Sequence, residues 1–293
     1  MEIYTGEKGY TQLINFVLNN GYEVTDRTGV GSVAIFDAKV VYDIGEFPFS
    51  TIRPAGLRLA FEEFWMFMRG ETDTILLEEK GINFWKGNTS EEFLAKRGLS
   101  YLPPGNMGKA YGYQWRSFND TFDQLVDIVN TLRTDPFSRR LYTTFWNPSQ
   151  SDQMALTPCW HSHQFVVLPQ VQDSGEIKLT LHLKLFNRSL DIVFGYPFAI
   201  QQYKLYQIAV AKMLGLEAGF LSADLTHVHI YNNQIEYAKE LIQRPLGQNG
   251  TVTINKDLNS LDDILSLQWE DIQVDELVVN NTPFSTPRPP MAV

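Results

Sequence analysis

The chain has 293 residues, 44% of them hydrophobic, enough to bury a large core within one domain spanning 1–293. A formal charge of -10 disfavours a surface that tracks nucleic-acid phosphates, because such binding needs a basic face, so any phosphate site should be local. A single cysteine excludes an intramolecular disulfide and a multi-cysteine zinc site, and with no run near the roughly 18 apolar residues of a membrane span and no signal-peptide order at the N-terminus, a cytoplasmic protein is expected.

Tyr10, Leu13, Ile14, Val17 and Leu18 recur at helical spacing and stop at Gly21, which predicts a first amphipathic helix with a glycine beyond its end. A strand is predicted over 33–41. Segment 57–69 is apolar nearly all round, with Leu57, Ala60, Phe61, Phe64, Trp65 and Met68 on one stripe and Gly70 as its stop, the pattern of a buried central helix. Glu63 shares the opposite stripe with Leu59, Met66 and Phe67, so a carboxylate is aimed into an apolar interior and needs partners or a task. Beyond an irregular connection marked by Pro103, Pro104, Gly105 and Gly108, the spacing of Phe122, Leu125, Val126, Val129 and Leu132 predicts another helix. Strands follow at 141–146 and 161–168, and Ile177, Leu179, Leu181, Leu183 and Leu185 alternate as a half-buried strand does. Helices are expected over 200–214, stopped by Gly215, and over 231–242, and the tail beyond Asn280 is proline-rich and should be extended. The pattern is that of a single α+β domain.

Four stretches could carry chemistry. Pro158-Cys159-Trp160 stands at the mouth of the 161–168 strand, although a buried small hydrophobe is the commoner role for a lone cysteine. Asp135-Pro136-Phe137-Ser138-Arg139-Arg140 delivers two adjacent guanidiniums before a strand, an arrangement that surface solvation usually explains. Asn187-Arg188-Ser189-Leu190-Asp191 follows an apolar strand and leads to Gly195-Tyr196-Pro197-Phe198; an arginine fork there suits phosphate oxygens. Asp26-Arg27-Thr28-Gly29-Val30-Gly31 has the look of a phosphate-cradling glycine loop, a weak motif alone.

Taken together these stretches resemble the thymidylate synthase family. The ordered markers are Arg27-Thr28-Gly29, Trp85, Tyr111-Gly112-Tyr113-Gln114-Trp115-Arg116, Arg139-Arg140, Asp152-Gln153-Met154-Ala155-Leu156, Pro158-Cys159, Arg188-Ser189 with Asp191, Gly195-Tyr196-Pro197-Phe198, His229-Ile230-Tyr231 and the final Met291-Ala292-Val293. The resemblance implies a large mixed or antiparallel twisted sheet with flanking helices, one sheet face forming a homodimer interface. It implies two ligands, a pyrimidine nucleoside monophosphate and 5,10-methylenetetrahydrofolate, with no membrane, nucleic acid or metal required.

By the same resemblance Cys159 is the nucleophile that adds to C6 of the ring, with Arg188 near enough to favour its thiolate. Glu63 and Tyr111 look like the pair that removes the C5 proton through ordered water. Arg27, Arg188 and Ser189 would hold the 5′-phosphate, joined by Arg139 and Arg140 from the second subunit. His229 and Tyr231 would bond the sugar, while Trp160, Gln164 and Ala199 lie at the base. Trp85, Asp191, Gly195, Phe198 and the terminal Val293 would receive the folate, with Arg53 a candidate cation for its glutamate tail.

Two departures fall at the base. The family has an asparagine where Ala199 stands, whose amide pairs with N3 and O4 of uracil, and phage deoxycytidylate hydroxymethylases of the same family have an aspartate there. Alanine makes neither bond. Trp160, the second, replaces a histidine common after the cysteine, whereas Asn187, where glutamine is usual, is a smaller departure that matters less. These changes mark a divergent, phage-type member and lead us to expect a hydroxymethyl product on dCMP, CMP or dUMP, with thymidylate synthesis from dUMP as the alternative. A reading from another class is a zinc hydrolase, since Cys159, His161 and His163 at i, i+2 and i+4 would share one strand face, with His227 or His229 to add a ligand. A third is a non-catalytic nucleotide- or RNA-binding homologue, disfavoured by the presence of Cys159, Glu63, Tyr111 and Asp191 together.

Overall fold

A computed structural model describes residues 3–26, 28–171 and 175–290. Along the chain run β1 (Ile3–Thr5), α1 (Gly6–Asn20), β2 (Tyr22–Val24), β3 (Ser32–Tyr42), α2 (Leu57–Met68) and the short α3 (Ile75–Glu78) and α4 (Glu91–Lys96). They are followed by α5 (Tyr111–Arg116), α6 (Gln124–Thr134), β4 (Tyr142–Thr144), β5 (Trp160–Val171), β6 (Ile177–Asn187), β7 (Leu190–Asp191) and the long α7 (Gly195–Leu214). Last come β8 (Glu217–Tyr231), α8 (Ile235–Gln243), β9 (Thr251–Ile254), α9 (Leu261–Leu265) and β10 (Ile272–Asp275).

The main sheet has eight strands in the order β1-β3-β8-β6-β5-β4, with β2 on β3 and β7 on β8. It is mixed: β1 with β3 and β6 with β8 are parallel, while β3 with β8, β5 with β6 and β4 with β5 are antiparallel. The architecture is therefore α+β with helices flanking a mixed sheet, as expected. Side chains alternate across strands, so Phe165, Val167, Leu181, Leu183, Leu185, Leu221, Ala223 and Leu225 turn to one face and are buried there. Against that face packs α7, whose side chains are buried nearly all round. Next to α7 lies α2, with Leu57, Ala60, Phe61, Phe64, Trp65 and Met68 buried as its stripe predicts. Among the described residues no helix is long and apolar enough to cross a membrane.

Several boundaries differ from expectation. Helix α7 begins at Gly195, not near 200, because Pro197 sits in its first turn, where a missing N–H breaks no helical bond. The predicted 231–242 helix starts with a single 3-10 turn at Asn232–Gln234, and only Ile235–Gln243 is α-helical. The 141–146 strand shrinks to Tyr142–Thr144. Gly21 is not a left-handed stop, having φ -73. A Cβ there would lie 2.4 Å from Val33 Cγ1, so close approach of α1 to β3 is what the glycine permits.

Candidate active site

A cavity of about 280 Å³ opens between α2, α7 and the ends of β5 and β6, at the lower edge of the usual range for small-molecule pockets of ~300–1,000 Å³. Cys159 stands in its wall, immediately before β5. Its N–H donates to Tyr111 Oη at 2.8 Å, and its carbonyl accepts from Arg188 N–H at 3.0 Å. The Arg188 guanidinium fixes the preceding turn: Nε donates to the Pro158 carbonyl at 2.9 Å and Nη2 to the Thr157 carbonyl at 2.8 Å. The same Nη2 lies 3.9 Å from Cys159 Sγ. A cation this near sulfur stabilises its anion. Arg188 Nη1 has no hydrogen-bond partner among the described residues, so one edge of the fork remains for another anion.

Glu63 projects from α2 into the same cavity, where Trp85 Nε1 donates to Oε1 at 2.6 Å and Gln202 Nε2 donates to Oε2. Burial raises the Glu63 pKa above the usual carboxylate range, against the two hydrogen bonds that favour the charge. Burial also pushes the Tyr111 phenol up. Tyr111 is stacked on Phe67 at 5.0 Å between ring centres, which fixes the direction of its hydroxyl.

Trp85, Phe84 and Phe198 form an aromatic wall, with Phe84 and Phe198 ring centres 5.1 Å apart. Ser189, Asp191 and Gly195 line the cavity too. The Asp191 carboxylate accepts from the Val193 and Phe194 amides, each at 3.0 Å, and from Gln234 Nε2 at 3.0 Å. A carboxylate has about four acceptor positions, so room for a ligand donor remains. Ala199 and Trp160 line the pocket as expected, the indole packing between Tyr196 and Tyr203.

Other predicted residues lie elsewhere. His229 is buried on β8 with its ring 4.9 Å from that of Tyr231, and neither lines the cavity. Burial lowers the His229 pKa, which keeps the imidazole neutral. Tyr231 pairs with Ser32, and Asn232 N–H bonds the Gly31 carbonyl, so this pair adjoins the glycine loop of Arg27. Arg27 itself and the terminal Val293 lie outside the described residues. Arg139 and Arg140 are exposed in the turn before β4 and do not reach the cavity of their own chain.

Gln164 is a correction. Strand alternation turns it to the outer face of the sheet, where its Nε2 donates to the Arg139 carbonyl at 3.3 Å, away from the base pocket. Arg53 is another: it is 3% exposed and its guanidinium bonds the Val193 carbonyl, so it is core rather than a rim cation. The rim cation is Arg288, on the C-terminal tail, which lines the cavity and lies over the Phe194 ring at 5.2 Å. Nor do Cys159, His161 and His163 share a face. A bulge between Trp160 and Ser162 shifts the register, leaving His161 over Phe186 and His163 fully buried in an aromatic box. Among the described residues no three His, Cys, Asp or Glu side chains form a metal cluster, which removes the basis of the zinc reading.

Sequence reasoning missed Gln202, though its spacing of four from Phe198 on one helix face is a usable signal. It also set Asn187 aside as a minor change, yet this residue stands in the cavity wall.

A family model described as thymidylate synthase matches residues 8–282. The thymidylate synthase of equine herpesvirus 2 is 36% identical over 251 residues, covering 81% of this chain and 84% of that protein. Those of Ascaris suum and Saccharomyces cerevisiae are each 32% identical, over 302 and 279 residues, covering 98% and 90% of this chain and 97% and 92% of theirs. With that match across most of its length, the chain belongs to the thymidylate synthase family of transferases.

Proposed function

We propose that the protein transfers a one-carbon unit from 5,10-methylenetetrahydrofolate to C5 of a pyrimidine nucleoside 5′-monophosphate and completes it as a methyl group, the reaction that turns deoxyuridylate into thymidylate. The observation that carries this reading is the convergence of Cys159, Glu63 and Tyr111 on one aromatic-walled cavity. Cys159 thiolate adds to C6, and the C5=C6 electron pair moves toward C5 and O4, giving C5 the nucleophilicity it otherwise lacks. After C5 bonds the new carbon, its proton leaves to water held by the Glu63 carboxylate and the Tyr111 hydroxyl. Bound folate supplies the carbon and a hydride and ends as dihydrofolate. Cys159 then departs as thiolate when C5=C6 reforms.

The names of the relatives favour the methyl product over the hydroxymethyl one that Ala199 and Trp160 suggested. So does the wall of Phe64, Phe67, Phe84, Trp85 and Phe198, since a site that excludes water removes the reagent that competes with hydride. Trp85, Phe198 and Gly195 suit the pterin's faces, Asp191 its donors, and Arg288 the anionic tail. Ser189 and the free edge of Arg188 suit the phosphate, where Arg27 would join them by the family resemblance, and the His229–Tyr231 pair suits the sugar. The exposed Arg139 and Arg140 complete that site only from a second copy. The outer sheet face supports such a dimer, because Val166, Leu168 and Phe220 are exposed on it. A cysteine outside any disulfide at the reactive position suits the reducing cytoplasm. The test is the co-product with dUMP: dihydrofolate is expected, and tetrahydrofolate with a hydroxymethyl nucleotide would overturn the methyl assignment.

A further inference from the structure

Asn187 closes β6, opposite Trp160 across the β5–β6 pair and next to the residue whose N–H bonds the Cys159 carbonyl. It stands in the cavity wall and is 1% exposed. Both polar atoms of its amide are buried without a hydrogen-bond partner among the described residues. The other carboxylates and carboxamides of this cavity, those of Glu63, Asp191 and Gln202, are each engaged by described protein groups. A buried amide left unpaired is destabilising, and its retention in a pocket wall points to a ligand that pairs with it. Ala199 of α7 lines the same cavity and offers no polar atom.

Resting on the reading that a pyrimidine nucleotide bonds Cys159 through C6, we propose that Asn187 is the group that hydrogen-bonds the N3–C4 edge of the base. Ala199 leaves that edge unread. Uracil presents a donor at N3 and an acceptor at O4, and cytosine presents an acceptor at N3 and a donor at N4. A carboxamide matches either base, depending on which way its oxygen and nitrogen are turned. No described residue pins the Asn187 amide, so it turns to suit both, and the pocket accepts uracil and cytosine nucleotides alike. A pinned amide would choose between them.

The test measures binding of dUMP, dCMP and base-free deoxyribose 5-phosphate to the full-length protein by calorimetry, alongside folate-dependent tritium release from C5. Wild type should bind the two nucleotides within a few-fold of each other. Asn187→Leu should weaken both by about 10- to 100-fold, leave deoxyribose 5-phosphate unchanged and melt no lower than wild type. Asn187→Asp, which when ionised can only accept, should move the preference toward dCMP, whose N4 donates. Unchanged nucleotide affinity in the leucine variant, an equal loss for the base-free phosphate, or strong rejection of dCMP by wild type would each overturn the inference. Absence of tritium release from wild type with both nucleotides, while they still bind, would instead strike the proposed function and leave the base contact standing.

Discussion

Cys159 is held at both backbone groups, its N–H by Tyr111 and its carbonyl by Arg188, so the sulfur's position is set by two elements distant in sequence. Cys159→Ser should abolish turnover while nucleotide affinity survives, measurable by tritium release and calorimetry on the same sample. Glu63 is a different case, because its burial raises the carboxyl pKa. Its folded pKa lies above the unfolded one, so the charged form burdens the native state at neutral pH and the burden vanishes below the unfolded value. Glu63→Gln should therefore raise the melting temperature at pH 7 while lowering turnover about 10²- to 10⁴-fold, the usual worth of a positioned base. A variant both less stable and fully active would contradict the role. His163 has the opposite bearing on pH. Its ring is packed against Trp115, Phe145, Phe165, Tyr203 and Tyr206 with neither nitrogen paired among the described residues, and burial lowers its pKa from 6.5 to about 3. Between those values the unfolded chain takes up a proton that the folded one refuses, so stability falls as pH falls. At pH 5 the loss is about 2 kcal/mol from this group, and His163→Leu should flatten that part of a denaturant-stability profile.

At the scale of elements, the tail is strapped to α8. Glu240 accepts from Ser285 N–H at 2.7 Å, Ser285 Oγ at 2.8 Å and Thr286 N–H at 2.8 Å, contacts that pull its pKa down to about 2. Arg244 stacks over Phe284 at 4.1 Å and donates to the Asn280 and Thr282 carbonyls. This strap is what delivers Arg288 to the cavity. Glu240→Ala should speed proteolysis of the tail and raise the folate KM while leaving dUMP binding unchanged; an unaltered folate KM would separate the strap from the site. The carboxylate is depressed, so its contribution is complete above the unfolded pKa and fades as pH falls toward 2. Helix α7 shows how polar groups are afforded in a buried element: Gln207 bonds the Leu181, Gly219 and Phe220 carbonyls, and Lys204 bonds Gly219. Its start was illegible locally because Gly195 and Pro197 read as breakers, whereas a first turn tolerates both.

For the whole molecule, the sheet divides a buried inner face from an outer face on which Leu168 is 51% exposed. If two copies meet there, Leu168→Asp should yield a monomer in sedimentation and lose turnover, since Arg139 and Arg140 do not reach their own cavity. A sharper check mixes two inactive variants, Cys159→Ser and Arg139→Ala with Arg140→Ala. Hybrid dimers should regain activity at one of their two sites, because one pocket then has both the intact thiol and the partner's arginines. No recovery on subunit exchange would argue that the arginines act within one chain.

The helix and strand stripes, the thiol, the arginines and their family pattern were all legible in the linear chain, because periodicity and side-chain chemistry are local properties that survive without a fold. Other facts existed only once distant segments met. Gln164 and His163 took their faces from the sheet's register and its bulge, Arg53 disappeared beneath Val193, and Arg288 arrived from the far end of the chain. Whether the Asn187 amide has a partner is likewise a property of its surroundings, with Trp160 opposite it across the strands and an alanine of α7 in the same cavity wall, and no spacing along one strand encodes it.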